Sequence, residues 1–370
     1  MSAPLGRLTA QWTTLVPPLA VVLLVLTWGR DLPGPAVAVS TLVLAGAVLA
    51  AVHHAEVVAH RVGEPFGSLV LAVAVTVIEV ALIVTLMIDG GDKGATLARD
   101  TVFAAVMITC NGILGLSLLV GSLRHRTAVF NSEGTGAALA TVATLATLSL
   151  VLPTFTTSKP GPEFSTVQLT FAAVSSLVLY GLFVTTQTVR HRDYFLPVPR
   201  PGRAAPGGEH TQDHAEAPSA RTALTSLGLL GLALIGVVGL AKGVSPTIES
   251  AVDTAGLPHA VVGVIIALLV LLPETIAAVR AARRDQVQIS MNLALGSAMA
   301  SIGLTIPAVA LASLWLPGPL VLGLGSTHMV LLALTVVVSA LTVVPGRATP
   351  LQGGVHLVLL AAYLELAVNP

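Results

Sequence analysis

Two short stretches, Leu272-Pro273-Glu274-Thr275 and Val77-Ile78-Glu79-Val80, each place a glutamate deep inside a long apolar run. A charged side chain at the centre of a bilayer costs about 2.5–3.5 kcal/mol on insertion scales, so a carboxylate at that depth indicates a functional site. Glu79 and Glu274 are therefore the first candidate site residues, and the rest of the chain is interpreted around them.

A similar pattern of residues follows each of the two glutamates. Arg99-Asp100 follows the first glutamate and precedes Asn111-Gly112, and Arg284-Asp285 follows the second and precedes Gly296-Ser297. Both comparisons give the same offset of 185 residues, whereas the glutamates are 195 residues apart because the first connection is longer. This spacing predicts an internal duplication.

Composition points to a membrane protein, because 54% of the residues are hydrophobic and 10% are charged. Apolar runs of about twenty residues, the length of a bilayer-spanning helix, recur to the C-terminus. The chain is therefore predicted to be a polytopic, all-α membrane protein whose partner is the lipid bilayer. The formal net charge of zero gives no support for a nucleic-acid partner. The first apolar run contains Pro17-Pro18 and lacks a small-residue cleavage site, so it is interpreted as a span and not as a signal peptide.

Hydrophobicity and proline positions predict about eleven transmembrane helices. Their approximate ranges are 12–29, 35–58, 65–88, 99–123, 134–153, 165–189, 222–243, 258–280, 286–312, 319–343 and 350–368. Proline is favoured in the first turn of a helix, where its missing N–H is not needed. Four of the predicted starts are marked in this way, by Pro65, Pro258, Pro319 and Pro350.

The basic residues favour one orientation in the membrane. With the N-terminus inside, every Lys and Arg falls on the cytoplasmic side except Arg30, Lys93, Arg99, Lys159 and Lys242. Because cytoplasmic loops carry an excess of basic residues, we expect a cytoplasmic-membrane protein with its N-terminus inside and its C-terminus outside. The third helix then carries Glu79 outward and the eighth carries Glu274 inward, so the two repeats are predicted to be inverted, as in many secondary transporters.

This topology divides the chain into four parts. Residues 1–32 form an extra N-terminal helix, 33–189 the first repeat half with helices 2–6, 190–221 a cytoplasmic linker, and 222–370 the second half with helices 7–11. The linker is rich in Pro, Gly, Arg and His without an apolar period, so it is predicted to be disordered. Its titratable group is interpreted as solvated rather than as a cation or pH sensor, and consists of Glu209, His210, Asp213, His214 and Glu216.

Residues next to the glutamates could complete a site. Pro273 removes a backbone hydrogen bond beside Glu274, so we expect a kink that frees carbonyl oxygens near Leu269 or Val270 as ligands; a kink that serves packing alone is the alternative. Thr76 lies one turn before Glu79 on the same face. Its hydroxyl could serve the site or bond its own helix backbone, and neither interpretation is favoured.

The second run after each glutamate carries polar and small residues at mid-membrane. An unpaired Asn111 would be costly, so Asn111 is predicted to line the site together with Gly112, and a bond to a neighbouring helix is the alternative. In the ninth helix a polar stripe and a small-residue face lie side by side, and small residues permit close helix approach. The members assigned to the site are Gly296, Ser297 and Ser301, and those assigned to packing are Ser290 and Thr305.

The motifs of several enzyme classes are absent from the sequence, which lacks HExxH, CxxC, P-loop and GxSxG patterns. No cofactor is expected, and an ion gradient should supply the energy. Two carboxylates with hydroxyl, amide and carbonyl oxygens form a hard-oxygen set that suits Ca²⁺, or Na⁺, rather than soft metals.

Five stretches carry a family pattern: residues 60–68 (His-Arg-Val-Gly-Glu-Pro-Phe-Gly-Ser), 77–80, 273–274, 292–297 (Asn-Leu-Ala-Leu-Gly-Ser) and 304–307. They resemble bacterial ChaA-type calcium/sodium:proton antiporters of the cation/calcium exchanger superfamily, and the likeness covers nearly the whole chain. The resemblance implies that Glu79 and Glu274, one in each inverted repeat, bind the cation and exchange it for protons. The superfamily's usual Gly-Asn-Ala/Thr-Xaa-Glu pattern is absent at both glutamates, so the resemblance does not select among Ca²⁺, Na⁺ and K⁺.

The sequence thus predicts a secondary antiporter that exchanges Ca²⁺, or Na⁺ or K⁺, for protons at Glu79 and Glu274. A divalent cation neutralises both carboxylates and so do two protons, so alternation of access should be slow unless the site is loaded. An intramembrane hydrolase, with the glutamates as general base and as holder of a metal or water, is one alternative. A passive cation channel is another, and the sequence does not indicate an oligomeric state.

Overall fold

The computed structural model describes residues 5–30, 32–63, 66–89, 91–198, 218–315 and 318–370. The first half comprises α1 (Leu5–Thr27), α2 (Gly34–Val62), α3 (Phe66–Asp89), α4 (Leu97–Met107), α5 (Leu114–His125), α6 (Ser132–Ala146), α7 (Leu152–Phe155) and α8 (Thr166–Thr185). The second half comprises α9 (Ala220–Thr254), α10 (Ala260–Arg283), α11 (Val287–Ala312), α12 (Ser326–Val343) and α13 (Pro350–Val368).

Short irregular elements join or extend these helices. A π turn over Ile108–Ile113 makes α4 and α5 one continuous span, and a π turn over Thr147–Val151 does the same for α6 and α7. A third π turn, Thr186–Arg190, extends α8. Two two-residue strands, β1 (Ala128–Val129) and β2 (Arg347–Ala348), pair antiparallel on one side of the helices.

The helices have the length and composition of membrane spans. Ten of them, within the described ranges, are long and apolar enough to cross a bilayer, and Gln11–Thr27 of α1 is a shorter apolar stretch. The prediction of an all-α membrane protein with about eleven spans is therefore confirmed. Most predicted boundaries lie within a few residues of the observed ones. Three differ more: α1 begins at Leu5 instead of near residue 12, and one boundary each of the seventh and tenth spans is wrong.

The seventh span was predicted over 222–243, but α9 continues to Thr254. Pro246 lies inside it and removes one backbone hydrogen bond, which costs about 3 kcal/mol in a helix interior. The helix continues because Val244 and Val252 are buried against neighbouring helices, and burial of one valine contributes about 1.5–3 kcal/mol. Packing of the far end of α9 thus offsets the proline.

The tenth span was predicted to begin at Pro319, but α12 begins at Ser326. The residues between are extended and form backbone hydrogen bonds to the 3₁₀ turn Gly91–Thr96 and to the π turn Thr147–Val151. Val321 N–H donates to Ala95 O over 3.1 Å, and Leu324 N–H donates to Leu150 O over 2.8 Å. These partners come from other parts of the chain, so the local sequence gave no sign that the helix would start late.

The linker predicted over 190–221 is not disordered at its start. Residues Arg192–Phe195 form a 3₁₀ turn, and the Phe195 ring is buried with its centroid 5.7 Å from that of Phe183. Residues 199–217, which include the predicted His-acidic group, lie outside the described residues.

The buried apolar side chains form two clusters. One contains residues of α1, α2, α3 and α9, and the other contains residues of α4 to α8 and α11 to α13. The helices that carry the glutamates contribute to both, since Ile78 and Val270 belong to the first cluster and Ile83 and Leu271 to the second. Glu79 and Glu274 therefore lie where the two packed bodies meet.

The extra helix α1 packs on α2 and α9, and one polar contact fixes it. Pro17 has no N–H, so the Thr13 carbonyl four residues earlier lacks its helical donor. His54 of α2, which is buried, fills this place with Nε2 2.9 Å from Thr13 O. Because a backbone carbonyl only accepts, the geometry assigns the proton to Nε2.

Candidate functional site

A cavity of about 250 Å³ lies between the two halves of the chain. Its walls come from α3, from α8 with its π turn, and from α10 and α11. The polar side chains on these walls are Thr76, Glu79, Tyr180, Gln187, Glu274, Asn292, Ser297 and Ser301. Both glutamates thus line one space.

Glu79 is only 3% exposed and receives a hydroxyl from the other half of the chain. Ser301 Oγ lies 2.7 Å from Glu79 Oε1 and 2.7 Å from Oε2. One hydroxyl has one proton, so it donates to one carboxylate oxygen at a time. Ser301 therefore supports the charged form of Glu79 without satisfying both of its oxygens.

Glu274 has a different environment. Its Oε2 is buried, and among the described residues it has no hydrogen-bond partner. Glu79 lines the same cavity as Glu274, so a charge on one carboxylate raises the cost of a charge on the other. A buried carboxylate oxygen without a partner is expensive. The geometry therefore leaves room beside Glu274 for a cation or a proton.

The helix around Glu274 supplies further oxygen atoms. Pro273 lies inside α10, which runs unbroken from Ala260 to Arg283. Because proline has no N–H, the Leu269 carbonyl four residues earlier receives no helical hydrogen bond from it. The predicted source of a free carbonyl is thus present, although Leu269 is not a lining residue of the cavity.

Among the described residues, the lining of the cavity extends from mid-span toward one face of the protein. Its lining residues reach Gln187 and Ile289, close to the end of the α8 span and the start of α11. On the opposite side α10 packs tightly on α4, since a Cβ added to Gly263 would lie 2.9 Å from Thr101 N. Beside that contact, the Asp100 carboxylate pairs with Arg99 over 2.7 Å. The site is thus sealed on the side where α10 begins.

Most of the residues predicted from the sequence are brought together here. Apart from the glutamates, the predicted residues that line the cavity are Thr76, Gly296, Ser297 and Ser301. Ser290, predicted to pack, is hydrogen-bonded to Ser117 and to Ala278 O. Thr305, also predicted to pack, is fully buried.

Asn111 and Gly112 do not line this cavity, so the prediction that they belong to it is wrong for this structure. Asn111 Nδ2 donates to Thr335 Oγ1 over 3.0 Å, and its Oδ1 lies 3.1 Å from His356 Nδ1. Gly112 faces the Leu360 side chain. No described residue of the span formed by α4, the π turn and α5 lines the cavity. The position of this whole span, packed on α10 and α13, explains the difference.

Three polar residues of the cavity were missed by the sequence analysis, namely Tyr180, Gln187 and Asn292. Gln187 and Asn292 carry amides within apolar helices, which is the same signal that drew attention to Asn111. Asn292 also lies within a stretch that was used for the family resemblance. Tyr180 had no signal, because a tyrosine in an apolar helix is common.

The chemistry of the walls is that of a hard-cation site. Carboxylates, hydroxyls and the amides of Gln187 and Asn292 line the cavity from both halves, and the remaining lining residues have no polar side chain. Oxygen ligands of this type suit Ca²⁺ or an alkali cation. The same carboxylates can bind protons, so one set of atoms can hold either kind of ion.

Comparison with known proteins relates the chain to one protein family. A family model described as sodium/calcium exchanger protein matches residues 35–189 and, separately, 225–369. The chain is 47% identical over 362 residues to y4hA of Sinorhizobium fredii, whose name describes an ionic transporter, with 97% of this chain and 96% of that protein covered. It is 36% identical over 362 residues to the sodium-potassium/proton antiporter ChaA of Escherichia coli, with 95% of each covered.

A solved structure shares the fold. The H⁺/Ca²⁺ exchanger CAX superposes with a TM-score of 0.69 at 15% identity, with 98% of this chain and 88% of that chain covered. At 15% identity, this likeness shows that the two proteins share a fold.

Proposed function

This chain belongs to the sodium/calcium exchanger protein family and is a membrane antiporter, and from that premise we propose that Glu79 and Glu274 are its shared binding site for cations and protons. The proposal is carried by one observation: both carboxylates line a single cavity between the two halves of the chain. Family membership also excludes the alternative of an intramembrane hydrolase, since the family consists of transporters and not of enzymes.

The coupling follows from charge. With neither ion bound, the site holds two carboxylates in a region of low dielectric, where each uncompensated charge is expensive. A divalent cation or two protons remove that charge. Rearrangement to the other access state is then fast for a loaded site and slow for an empty one, which produces exchange instead of leak.

The asymmetry of the two carboxylates fits this mechanism. Glu79 is already stabilised by Ser301, so it holds its position whichever ion is present. Glu274 has a buried oxygen without a partner in the described part of the chain. We assign to Glu274 the larger change in environment when a cation or a proton binds.

The two halves are proposed to be inverted repeats. The separate matches of one family model to residues 35–189 and 225–369 support a duplication. Each half contributes five spans, α2 to α8 in the first and α9 to α13 in the second. An odd number of spans per repeat places the second repeat upside down in the membrane. With the N-terminus inside, the cavity reaches the cytoplasmic face of the inner membrane.

The cation is proposed to be Ca²⁺, with Na⁺ or K⁺ as further substrates. The two carboxylates, which together match the charge of a divalent ion, and the Ser297, Ser301 and Thr76 hydroxyls support this choice. The names of the similar proteins include proton exchange with sodium and potassium in one case and with calcium in another. Both names include the proton, and they differ in the cation that is exchanged for it.

A vesicle assay tests the proposal. The purified protein is reconstituted into liposomes with an acidic lumen, each cation is added outside in turn, and proton release is followed with a pH-sensitive dye. The proposal expects release on addition of Ca²⁺ and little without a cation. Cation flux that continues at full rate without any proton movement would instead reveal a channel.

A further inference from the structure

The 3₁₀ turn Arg192–Phe195 touches both walls of the cavity near the face that the cavity reaches. The Phe195 ring packs edge-on against Phe183, a lining residue of α8, with ring centroids 5.7 Å apart and planes at 87°. The Phe195 carbonyl accepts a hydrogen bond of 2.7 Å from Asn292 Nδ2, and Asn292 is a lining residue of α11. A single residue therefore connects the two walls.

Further hydrogen bonds hold the Asn292 side-chain amide in the orientation that makes this contact. Its Oδ1 accepts a hydrogen bond of 2.9 Å from Gln288 Nε2. Gln288, which is 1% exposed, in turn accepts the Asn131 N–H at its Oε1 over 2.6 Å. The chain of hydrogen bonds thus fixes the orientation of Asn292 and ties the turn to the start of α6.

The backbone of the turn also has no room to shift toward α6. Gly134 of α6 faces the Tyr194 carbonyl so closely that a Cβ at this position would overlap it. The Tyr194 ring stacks on His191, with centroids 5.0 Å apart. The turn is therefore a packed element and not the free end of a linker.

We propose that Arg192–Phe195 is a strap that sets the width of the cavity mouth, with Asn292 and Phe195 as its positioning residues. This rests on the proposed function, in which the cavity is the ion pathway. α8 and α11 pack directly where Gly303 meets Tyr180, and the strap joins the two helices beyond that contact, so hydrated ions enter while larger solutes are excluded.

The test probes the width of the cavity mouth with thiol reagents of two sizes, so it does not depend on transport activity. A cysteine replaces Ala300, a lining residue, in a variant in which the buried Cys110 is changed to serine. A small and a bulky uncharged methanethiosulfonate reagent are applied to the reconstituted protein, and the modification rates are compared. Removal of a single hydrogen bond by Asn292→Ala is expected to raise the rate with the bulky reagent roughly three- to tenfold, while the rate with the small reagent changes by less than about twofold.

Phe195→Ala should act in the same direction, and two matched controls should not. Phe171→Ala removes a phenyl ring from α8 that is 64% exposed, and Gln168→Ala removes an amide at the other end of α8. An unchanged rate with the bulky reagent in both strap variants overturns the strap, even if cation exchange is intact. Full exchange retained in the glutamate variants would overturn the proposed function and leave this measurement unaffected.

If Phe195→Ala does not fold, Asn292→Ala and the milder Phe195→Leu carry the test. Leucine keeps the backbone carbonyl and an apolar side chain, so it should raise the rate with the bulky reagent less than alanine does. Equal increases with the small and the bulky reagent would indicate general loosening of the protein, which contradicts a strap that selects by size.

Discussion

Ser301 of the second half donates its hydroxyl to Glu79 of the first half, with its Oγ 2.7 Å from each carboxylate oxygen. The bond joins the two repeats at the carboxylate itself. A movement of α11 relative to α3 therefore changes the hydrogen bonding of Glu79 directly. This contact is the shortest physical route by which a change of access can alter ion binding.

Loss of this hydroxyl should weaken cation binding. A hydrogen bond to a charged group contributes about 1.5–3 kcal/mol, so Ser301→Ala is expected to raise the apparent KM for the cation by roughly ten- to a hundredfold, with a smaller effect on the maximal rate. Proton release from vesicles measured against cation concentration gives both quantities. Ser290→Ala is the matched control, because that hydroxyl bonds Ser117 and Ala278 O away from the cavity. A KM in Ser301→Ala equal to that of the control would remove Ser301 from the site.

Inverted repeats predict where single cysteines can be labelled. Lys159 follows α7 and Arg284 follows α10, and both side chains are exposed. With five spans in each repeat these two positions lie on opposite sides of the membrane. In a variant without Cys110, a membrane-impermeant thiol reagent added outside intact cells should label Lys159→Cys and leave Arg284→Cys unlabelled until the cells are opened. Labelling of both from one side would contradict the inversion.

The Asn111 network should affect stability more than transport. Asn111→Leu keeps the volume but leaves buried polar atoms of His356 and Thr335 without a partner, at a cost of about 1–3 kcal/mol each. The apparent melting temperature in detergent is expected to fall, while the exchange rate per folded molecule stays near that of the unchanged protein. A normal melting temperature with lost exchange would return Asn111 to the ion pathway.

His54→Ala should loosen the extra helix α1. The change leaves the Thr13 carbonyl without a donor and creates a cavity next to α2, so the free energy of unfolding is expected to fall by about 2–4 kcal/mol. His53→Ala is the control, because His53 is exposed and adjacent in sequence. Protease digestion near the N-terminus should become faster in His54→Ala alone. Equal digestion rates in the two variants would show that His54 does not hold α1.

The sequence predicted those features that a local physical signal determines. Apolar runs of membrane length gave the helices, and the cost of charge in hydrocarbon identified Glu79 and Glu274. Spacing along a regular helix placed Ser297 and Ser301 on one stripe, and both line the cavity because α11 is regular over that stretch. Local signals and regular geometry were sufficient there.

The features that were missed depend on contacts between distant parts of the chain. The span that contains Asn111 lies outside the cavity walls, and the Asn111 side chain bonds Thr335 and His356, which are 224 and 245 residues away in sequence. The late start of α12 depends on hydrogen bonds from Val321 and Leu324 to 3₁₀ and π turns far away in sequence. Phe195 was assigned to a disordered linker because the composition around it is polar, although its ring and carbonyl are both used in packing.

The most direct test of the central claim replaces each glutamate by glutamine. Glu79→Gln and Glu274→Gln keep the side-chain size and one carbonyl oxygen but cannot bind or release a proton or supply a charge. A neutral amide is also easier to insert than a carboxylate, so both variants should reach the membrane and fold. The account predicts that cation-driven proton release from acid-loaded vesicles is abolished in each, while Ser290→Ala retains it. Full exchange with an unchanged pH profile in either glutamine variant would show that this glutamate is structural and would contradict the two-carboxylate mechanism.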